Sequence, residues 1–143
     1  MGRPQSDRLF LDTGYVLARF NPRDQFHAAA VDLDGWVIGC REIWSTDAVL
    51  LEICAGFSSP AERETAIVIW DQFRSGDPPY RIVDCGSSNL EQAMSMYRTR
   101  MDKSWSLADC LSFVAMEQQG LTDALTGDHH FVQAGFRALM LEG

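Results

Sequence analysis

The sequence lacks the features that would indicate a membrane protein or a common type of zinc protein. No apolar run approaches the roughly 20 residues that a helix needs to span a bilayer. The segment from Met1 to Arg8 is polar and has no apolar middle of the kind found in signal peptides, so we expect a cytoplasmic location. None of the four cysteines belongs to a C-x-x-C pair. This spacing argues against a zinc site and favours buried, reduced thiols.

Positive charge is also scarce. The chain has 12 Lys and Arg residues against 20 Asp and Glu residues, which gives a net charge of -8 at pH 7. Lys103 is the sole lysine. This balance argues against a broad phosphate-binding surface. It leaves room for local phosphate contacts, because Arg binds phosphate through paired hydrogen bonds, and for a basic partner protein.

The length and the order of apolar segments indicate the fold class. A chain of 143 residues has the size of one domain, so we expect a single domain over 1–143 with a polar tail at 1–7. Strands are predicted at 8–12, 41–45, 80–83, 124–126 and 138–141. Helices are predicted at 25–33, from 47 onward, and at 60–74, 90–101 and 107–119, with a turn or short helix at 129–134. Alternating strands and helices predict βαβ units, a mainly parallel sheet of four to five strands, and helices on both faces.

Capping residues support several of these helix bounds. Asp24 and Thr46 each precede a helical segment as N-caps, and Thr46 leads into an apolar stripe with i, i+3/i+4 spacing. Ser59 with Glu62, and Ser106 with the acid three residues later, have the spacing of capping boxes. Gly120 is expected to end the helix that Ser106 begins.

Four acidic residues interrupt or adjoin apolar stretches, where carboxylates are least expected. They are Asp12, Glu52, Asp109 and Asp128. Burying a carboxylate is unfavourable unless it is paired or bound to a metal. In a parallel sheet, sites form beyond the carboxyl ends of the strands. Two of these acids lie at strand ends and two near helix starts, so we expect all four to line one pocket.

Each acid also has a structural explanation. Asp109 suits the helix half of a capping box with Ser106. Asp128 and Asp12 suit turns that follow short strands, and Glu52 can point outward from its helix.

Convergence of the four acids would have chemical consequences. A set of carboxylate oxygens suits one or two magnesium-like ions better than zinc. Such ions can activate water and stabilise the leaving oxygen in phosphodiester hydrolysis. Carboxylates held this close repel one another, so at least one pKa is expected to rise in the metal-free site.

Three segments resemble the motifs of PIN-domain proteins. Leu9–Gly14 and Asn21–His27 are similar to the family's opening, Trp105–Met116 to its third-acid helix, and Ala124–Phe131 with Gln133–Phe136 to its closing motif. The resemblance covers residues 8–141. In size the chain is most similar to the VapC-like toxins of bacterial toxin–antitoxin pairs.

The resemblance implies a three-layer α/β/α sandwich and a Mg²⁺- or Mn²⁺-dependent endoribonuclease that hydrolyses RNA. It also implies a homodimer, and inhibition by a small VapB-like antitoxin that inserts near the acidic pocket. Metal-site and catalytic roles fall on the four acids named above, and supporting hydroxyl roles fall on Thr13 and Thr126, with Ser106 as the cap behind Asp109. His130 stands where some relatives have another acid, which leaves the number of metal ions open.

Other residues and functions remain open. The only dense basic stretch contains Arg98, Arg100 and Lys103. It precedes Asp109 closely, so it is either a set of RNA contacts or a solvated helix face. His129 and His130 are expected to be solvated or packed side chains, because histidine matches magnesium poorly. The alternatives to a ribonuclease are a non-catalytic binding or scaffold module with the same fold, and a metal-dependent phosphatase.

Overall fold

The computed structural model describes residues 3–142, so Met1, Gly2 and Gly143 of the predicted domain lie outside the described residues. The strands are β1 (Arg8–Leu11), β2 (Glu42–Thr46), β3 (Tyr80–Val83), β4 (Asp123–Leu125) and β5 (Arg137–Ala138). The helices are α1 (Thr13–Phe20), α2 (His27–Ile38), α3 (Asp47–Gly56), α4 (Pro60–Arg74), α5 (Ser87–Thr99), α6 (Leu107–Gln119) and α7 (His129–Gln133). A 3-10 helix covers Leu139–Leu141. Across residues 3–142, no helix is both long and apolar enough to cross a bilayer.

The five strands form one parallel sheet in the order β3-β2-β1-β4-β5. The chain runs outward from β1 to β2 and β3 and then returns to β4 on the other side of β1. Because parallel crossovers are right-handed, connections in opposite directions place their helices on opposite faces. Helices α1 to α4 therefore cover one face and α5 with α6 the other, which confirms the predicted α/β/α sandwich with a parallel sheet.

The two central strands and helix α6 form the interior. Leu9 and Phe10 of β1 and Ala124 and Leu125 of β4 are fully buried. Every residue of Cys110–Met116 in α6 is buried as well. Apolar runs without alternation are what a strand covered on both faces requires. The acids that adjoin these segments are consequently held by the best-packed part of the chain.

Several predicted bounds are confirmed. Helix α6 begins after Ser106 and ends at Gly120, whose φ of 65° is the left-handed conformation that favours glycine. Thr46 accepts a hydrogen bond from the backbone NH of Val49 at 3.2 Å and so caps α3. Strand β3 and helix α4 have the predicted limits. All four cysteines are free, as expected, although only Cys40 and Cys110 among them are buried.

Other elements differ from the predictions. Helix α1 was not predicted. Its N-cap, Asp12, makes no side-chain capping bond, and its second position is glycine, so the local sequence stabilises it weakly. Burial of Tyr15, Val16 and Ala18 stabilises the helix instead. Asp24 accepts a hydrogen bond from the NH of Phe26 at 2.8 Å, so it forms a turn and α2 starts at His27, later than predicted.

Two details at chain turns were also wrong. Ser59 makes no backbone capping bond, because its hydroxyl donates to the carboxylate of Glu62 instead. The last strand was expected over 138–141, but β5 has only two residues and continues as the 3-10 helix. The NH of Met140 there donates to the carbonyl of Thr126, which holds the 3-10 helix beside the end of β4.

Candidate functional site

All four predicted acids line a single open pocket of about 550 Å³. Asp12 directly follows β1, Asp128 lies three residues after the end of β4, and Asp109 and Glu52 lie on α6 and α3. The pocket lies beyond the carboxyl ends of β1 and β4, where the chain direction across the sheet reverses. This topological switch point is the usual place for a ligand in an open parallel sheet.

The pairing of β1 with β4 sets the position of Asp12. Leu11 aligns with Leu125, so Asp12 and Thr126 leave the sheet side by side. The fully buried hydroxyl of Thr126 donates to Asp12 Oδ2 at 2.7 Å and accepts from the NH of Asp128 at 3.1 Å. Thr126 therefore links two of the acids and fixes the orientation of Asp12, as a supporting hydroxyl should.

The carboxyl of Asp12 carries the largest electrostatic strain in the pocket. The pKa of Asp12 is raised from 3.8 to about 6, mainly by burial. The hydrogen bond from Thr126 offsets part of this effect, and the negative charges of Glu52 and Asp128 contribute to the rise. Glu52 keeps an exposed side chain, yet desolvation at the pocket wall, followed by the charge of Asp109, also raises the pKa of its carboxyl. The expected upward pKa shift is thus present in two of the four acids, and a bound cation would relieve it.

Asp109 and Asp128 combine a structural role with a place in the pocket. Ser106 Oγ accepts from the NH of Asp109 at 2.9 Å, and the NH of Ser106 donates to Asp109 Oδ2 at 3.1 Å, so the predicted capping box is complete. Asp128 Oδ1 accepts from the NH of His130 at 2.9 Å and caps α7. The capping explanation was correct for Asp109, and Asp128 caps a helix rather than forming a plain turn. Both acids nevertheless line the pocket, so a capping role does not exclude a role there.

Thr13 has the clearest unsatisfied group in the site. Its side chain lines the pocket and the residue is only 8% exposed. Its hydroxyl is buried and has no hydrogen-bond partner among residues 3–142. Leaving such a group unpaired costs roughly 1–3 kcal/mol. An oxygen atom in this state, on a residue of the pocket that the four acids line, fits a site that completes its bonding with a cation or its water.

The loop between α1 and α2 forms a wall of the pocket that was not predicted. Asp24, Gln25 and Phe26 all line it. The ring of Phe26 lies so close to Gly127 that a Cβ at position 127 would be 2.8 Å from a ring carbon. In the sequence, Gly127 between an apolar strand and an acid indicates that something approaches the backbone closely at this position. No residue near Gly127 in the sequence indicates that the approaching group is the ring of Phe26.

The basic stretch lies outside the pocket lining. Arg100 and Lys103 both pair with Asp102, and the guanidinium of Arg100 lies 4.8 Å from the ring centre of Trp105. Arg98 is exposed on α5. The role of these residues as RNA contacts stays a prediction.

Comparison with known proteins identifies the fold. No protein-family model matches the chain, and no curated protein matches its sequence. Among solved structures, VapC20 of Mycobacterium tuberculosis, described as a sarcin-ricin loop cleaving toxin, matches with a TM-score of 0.76 over 90% of this chain and 96% of that chain, at 22% identity. The chain has the PIN-like fold of VapC.

Two further structures support the same fold. FitAcB of Neisseria gonorrhoeae matches with a TM-score of 0.60 at 20% identity, over 91% of this chain and 94% of that chain. FitAB bound to an IR36 DNA fragment matches with a TM-score of 0.57 at 18% identity, over 91% of this chain and 92% of that chain. The predicted resemblance is thereby confirmed at the level of the fold.

Proposed function

We propose that this protein is a divalent-metal-dependent endoribonuclease, the toxin of a VapBC-like toxin–antitoxin pair. The observation that carries the proposal is the convergence of Asp12, Glu52, Asp109 and Asp128 in one pocket at the switch point of the sheet. The fold shared with VapC20, a toxin that cleaves the sarcin-ricin loop, supports RNA as the substrate class.

The donor atoms of the pocket fit Mg²⁺ or Mn²⁺. Hard divalent cations prefer carboxylate and other oxygen ligands, and the four acids would hold one or two such ions. The unpaired hydroxyl of Thr13 is a further oxygen for the ion or its water. Bound there, the cation would neutralise charge on the phosphodiester and lower the pKa of the attacking water.

The surrounding residues hold the acids in place before substrate arrives. Thr126 fixes one oxygen of Asp12, and the NH of Ser106 fixes one oxygen of Asp109. The N-terminus of α6 adds positive potential beside Asp109. Holding charged groups in their working orientation removes a reorganisation step during the reaction. The Phe26–Gly127 contact closes one side of the pocket and limits the path of the RNA strand.

Charge supports the proposed partners. Arg98, Arg100 and Lys103 would contact RNA phosphates outside the acidic pocket. An acidic chain with a net charge of -8 suits an antitoxin whose inserted segment is basic. Homodimerisation and a cytoplasmic location remain predictions. Sedimentation equilibrium would test the first, and fractionation of cells that express the protein would test the second.

The direct test is cleavage of RNA by the purified protein. We expect activity with Mg²⁺ or Mn²⁺, none with a chelator, and at least a roughly 100-fold loss in Asp12→Asn and in Asp109→Asn. Asp71→Asn is the matched control, because Asp71 is exposed on α4 and outside the pocket lining. Full activity of the two pocket variants would contradict the proposal.

The alternatives give different results in the same assays. A metal-dependent phosphatase would hydrolyse small phosphate esters in preference to RNA. A binding or scaffold module would cleave neither, and calorimetry would detect no metal binding that Asp12→Asn removes.

A further inference from the structure

One imidazole bridges two of the pocket acids. The ring Nδ1 of His130 lies 3.0 Å from Asp109 Oδ2 and 3.3 Å from Asp128 Oδ1. The side chain of His130 is only 19% exposed, and its backbone NH is held by Asp128. The ring therefore lies directly behind two acids of the pocket, one on α6 and one at the start of α7, although His130 is not itself among the lining residues.

The histidine and its neighbours have the spacing of a cation site. Ligand atoms of Asp128 and His130 lie within 4.8 Å of each other, and Asp109 Oδ2 adjoins the same ring nitrogen at 3.0 Å. The 3.0 Å contact of Nδ1 with Asp109 Oδ2 is a hydrogen bond, and its length is close to the roughly 3.0 Å that separates adjacent ligands on an octahedral ion with bonds of about 2.1 Å, so the ring is near enough to share an ion with both acids. Among the described residues, no hydrogen bond uses Asp109 Oδ1 or Asp128 Oδ2, so each acid has an oxygen available. Independently of these acids, the buried hydroxyl of Thr13 has no hydrogen-bond partner among residues 3–142, and Thr13 lines the adjoining pocket, so a ligand bound there would gain a further oxygen contact.

We propose that His130 supplies a nitrogen ligand and makes this pocket select a transition-metal cation such as Mn²⁺ over Mg²⁺. The inference rests on the proposed metal-dependent function and specifies its cofactor. Magnesium binds oxygen donors and is a poor match for imidazole, whereas first-row transition metals accept mixed nitrogen and oxygen ligands. His130 thereby makes the site chemically different from one built from acids alone. The expectation that the histidines are solvated or packed agrees with the exposed side chain of His129 and the largely buried one of His130, and the proposal adds a role for the second.

Pulsed electron paramagnetic resonance of Mn²⁺ bound to the wild-type protein tests this directly. We expect coupling between the metal and a nitrogen, and we expect it to change to the ¹⁵N pattern when the protein is labelled with ¹⁵N-histidine. In His130→Gln the coupling should vanish, and the affinity for Mn²⁺ should fall at least about tenfold. The affinity for Mg²⁺ should change less than about twofold, so the preference for Mn²⁺ collapses.

His129→Gln is the matched control, because His129 is 70% exposed and its Nδ1 lies 3.9 Å from Asp128 Oδ1. This variant should keep the coupling and the metal preference. Loss of coupling in His129→Gln but not in His130→Gln would overturn the assignment to His130. Absence of histidine coupling in the wild-type protein would overturn it without any variant, even if the protein cleaves RNA. Coupling without RNA cleavage would instead support the metal site and contradict the proposed function.

Discussion

Asp12→Asn should make the metal-free protein more stable while abolishing cleavage. Burial raises the pKa of Asp12 to about 6, roughly two units above its ordinary value. Each unit corresponds to about 1.4 kcal/mol, so the ionised carboxylate destabilises the fold by at most about 3 kcal/mol. Because part of the side chain is exposed to water, we expect a gain of about 1–3 kcal/mol at pH 8. Asparagine keeps an oxygen that can accept from Thr126, so the variant removes the charge and leaves that hydrogen bond.

The sign of this effect predicts its pH dependence. A carboxyl whose pKa is higher in the folded state takes up a proton on folding, so its destabilisation is absent below about pH 4, where both states are protonated. It grows between about pH 4 and 6 and is constant above the folded pKa. Urea unfolding of wild type and variant in a chelator, at pH 4, 5, 6 and 8, should therefore show a stability difference that opens over this window.

A matched carboxylate outside the pocket provides the opposite result. The hydrogen bond from Arg8, together with that from Trp44, lowers the pKa of Glu42, so Glu42→Gln should reduce stability at pH 8.

Adding Mn²⁺ to about 100 times its Kd should stabilise wild type by about 2.7 kcal/mol and Asp12→Asn far less. If Asp12→Asn is no more stable than wild type at pH 8 in chelator, the carboxylate is not strained and the desolvation argument is wrong.

Two further substitutions test the pocket walls. Thr13→Val keeps the shape of the side chain and removes the unpaired hydroxyl. Urea unfolding in chelator should therefore show unchanged or higher stability, and calorimetry should show weaker Mn²⁺ binding. Unchanged Mn²⁺ binding would mean that the hydroxyl contacts no ligand. Gly127→Ala places a methyl group 2.8 Å from the ring of Phe26 and should cost about 1–3 kcal/mol, and Phe26→Leu in the same chain should restore much of that loss. Additive effects of these last two changes would show that the contact does not set the pocket wall.

The elements that were predicted well carry their signals locally. Helix α6 has a capping box at one end, a left-handed glycine at the other and a largely apolar, buried segment (Cys110–Met116) between them. Strand β1 is a short buried run that ends at an acid. In such segments the nearest neighbours in sequence decide the structure, because capping bonds and burial both act within a few residues.

The missed elements depend on contacts between distant residues. Helix α1 has no capping bond and is held by tertiary packing. The contact of Phe26 with Gly127 joins the loop after α1 to the end of β4. The acids themselves could be found from their apolar surroundings, but the bridge from His130 to Asp109 spans 21 residues and needs α6 and α7 to be placed first. Local patterns therefore identified the carboxylates, and only the packed fold showed which other groups face them.

The geometry of the acidic pocket depends directly on the packing beneath it. Asp12 and Thr126 meet because Leu11 and Leu125 are aligned in the β1–β4 pair. A shift of that pair by one residue would place each fully buried side chain against new neighbours on both faces of the sheet, so close packing of the core fixes the register. Leu125→Ala, which removes packing at the aligned pair, should consequently lower both the stability and the cleavage activity, whereas Asp12→Asn should raise the stability and remove the activity. The sign of the stability change thus separates damage to the core from loss of the charged group. Measuring both variants side by side would show whether core packing holds the pocket in place.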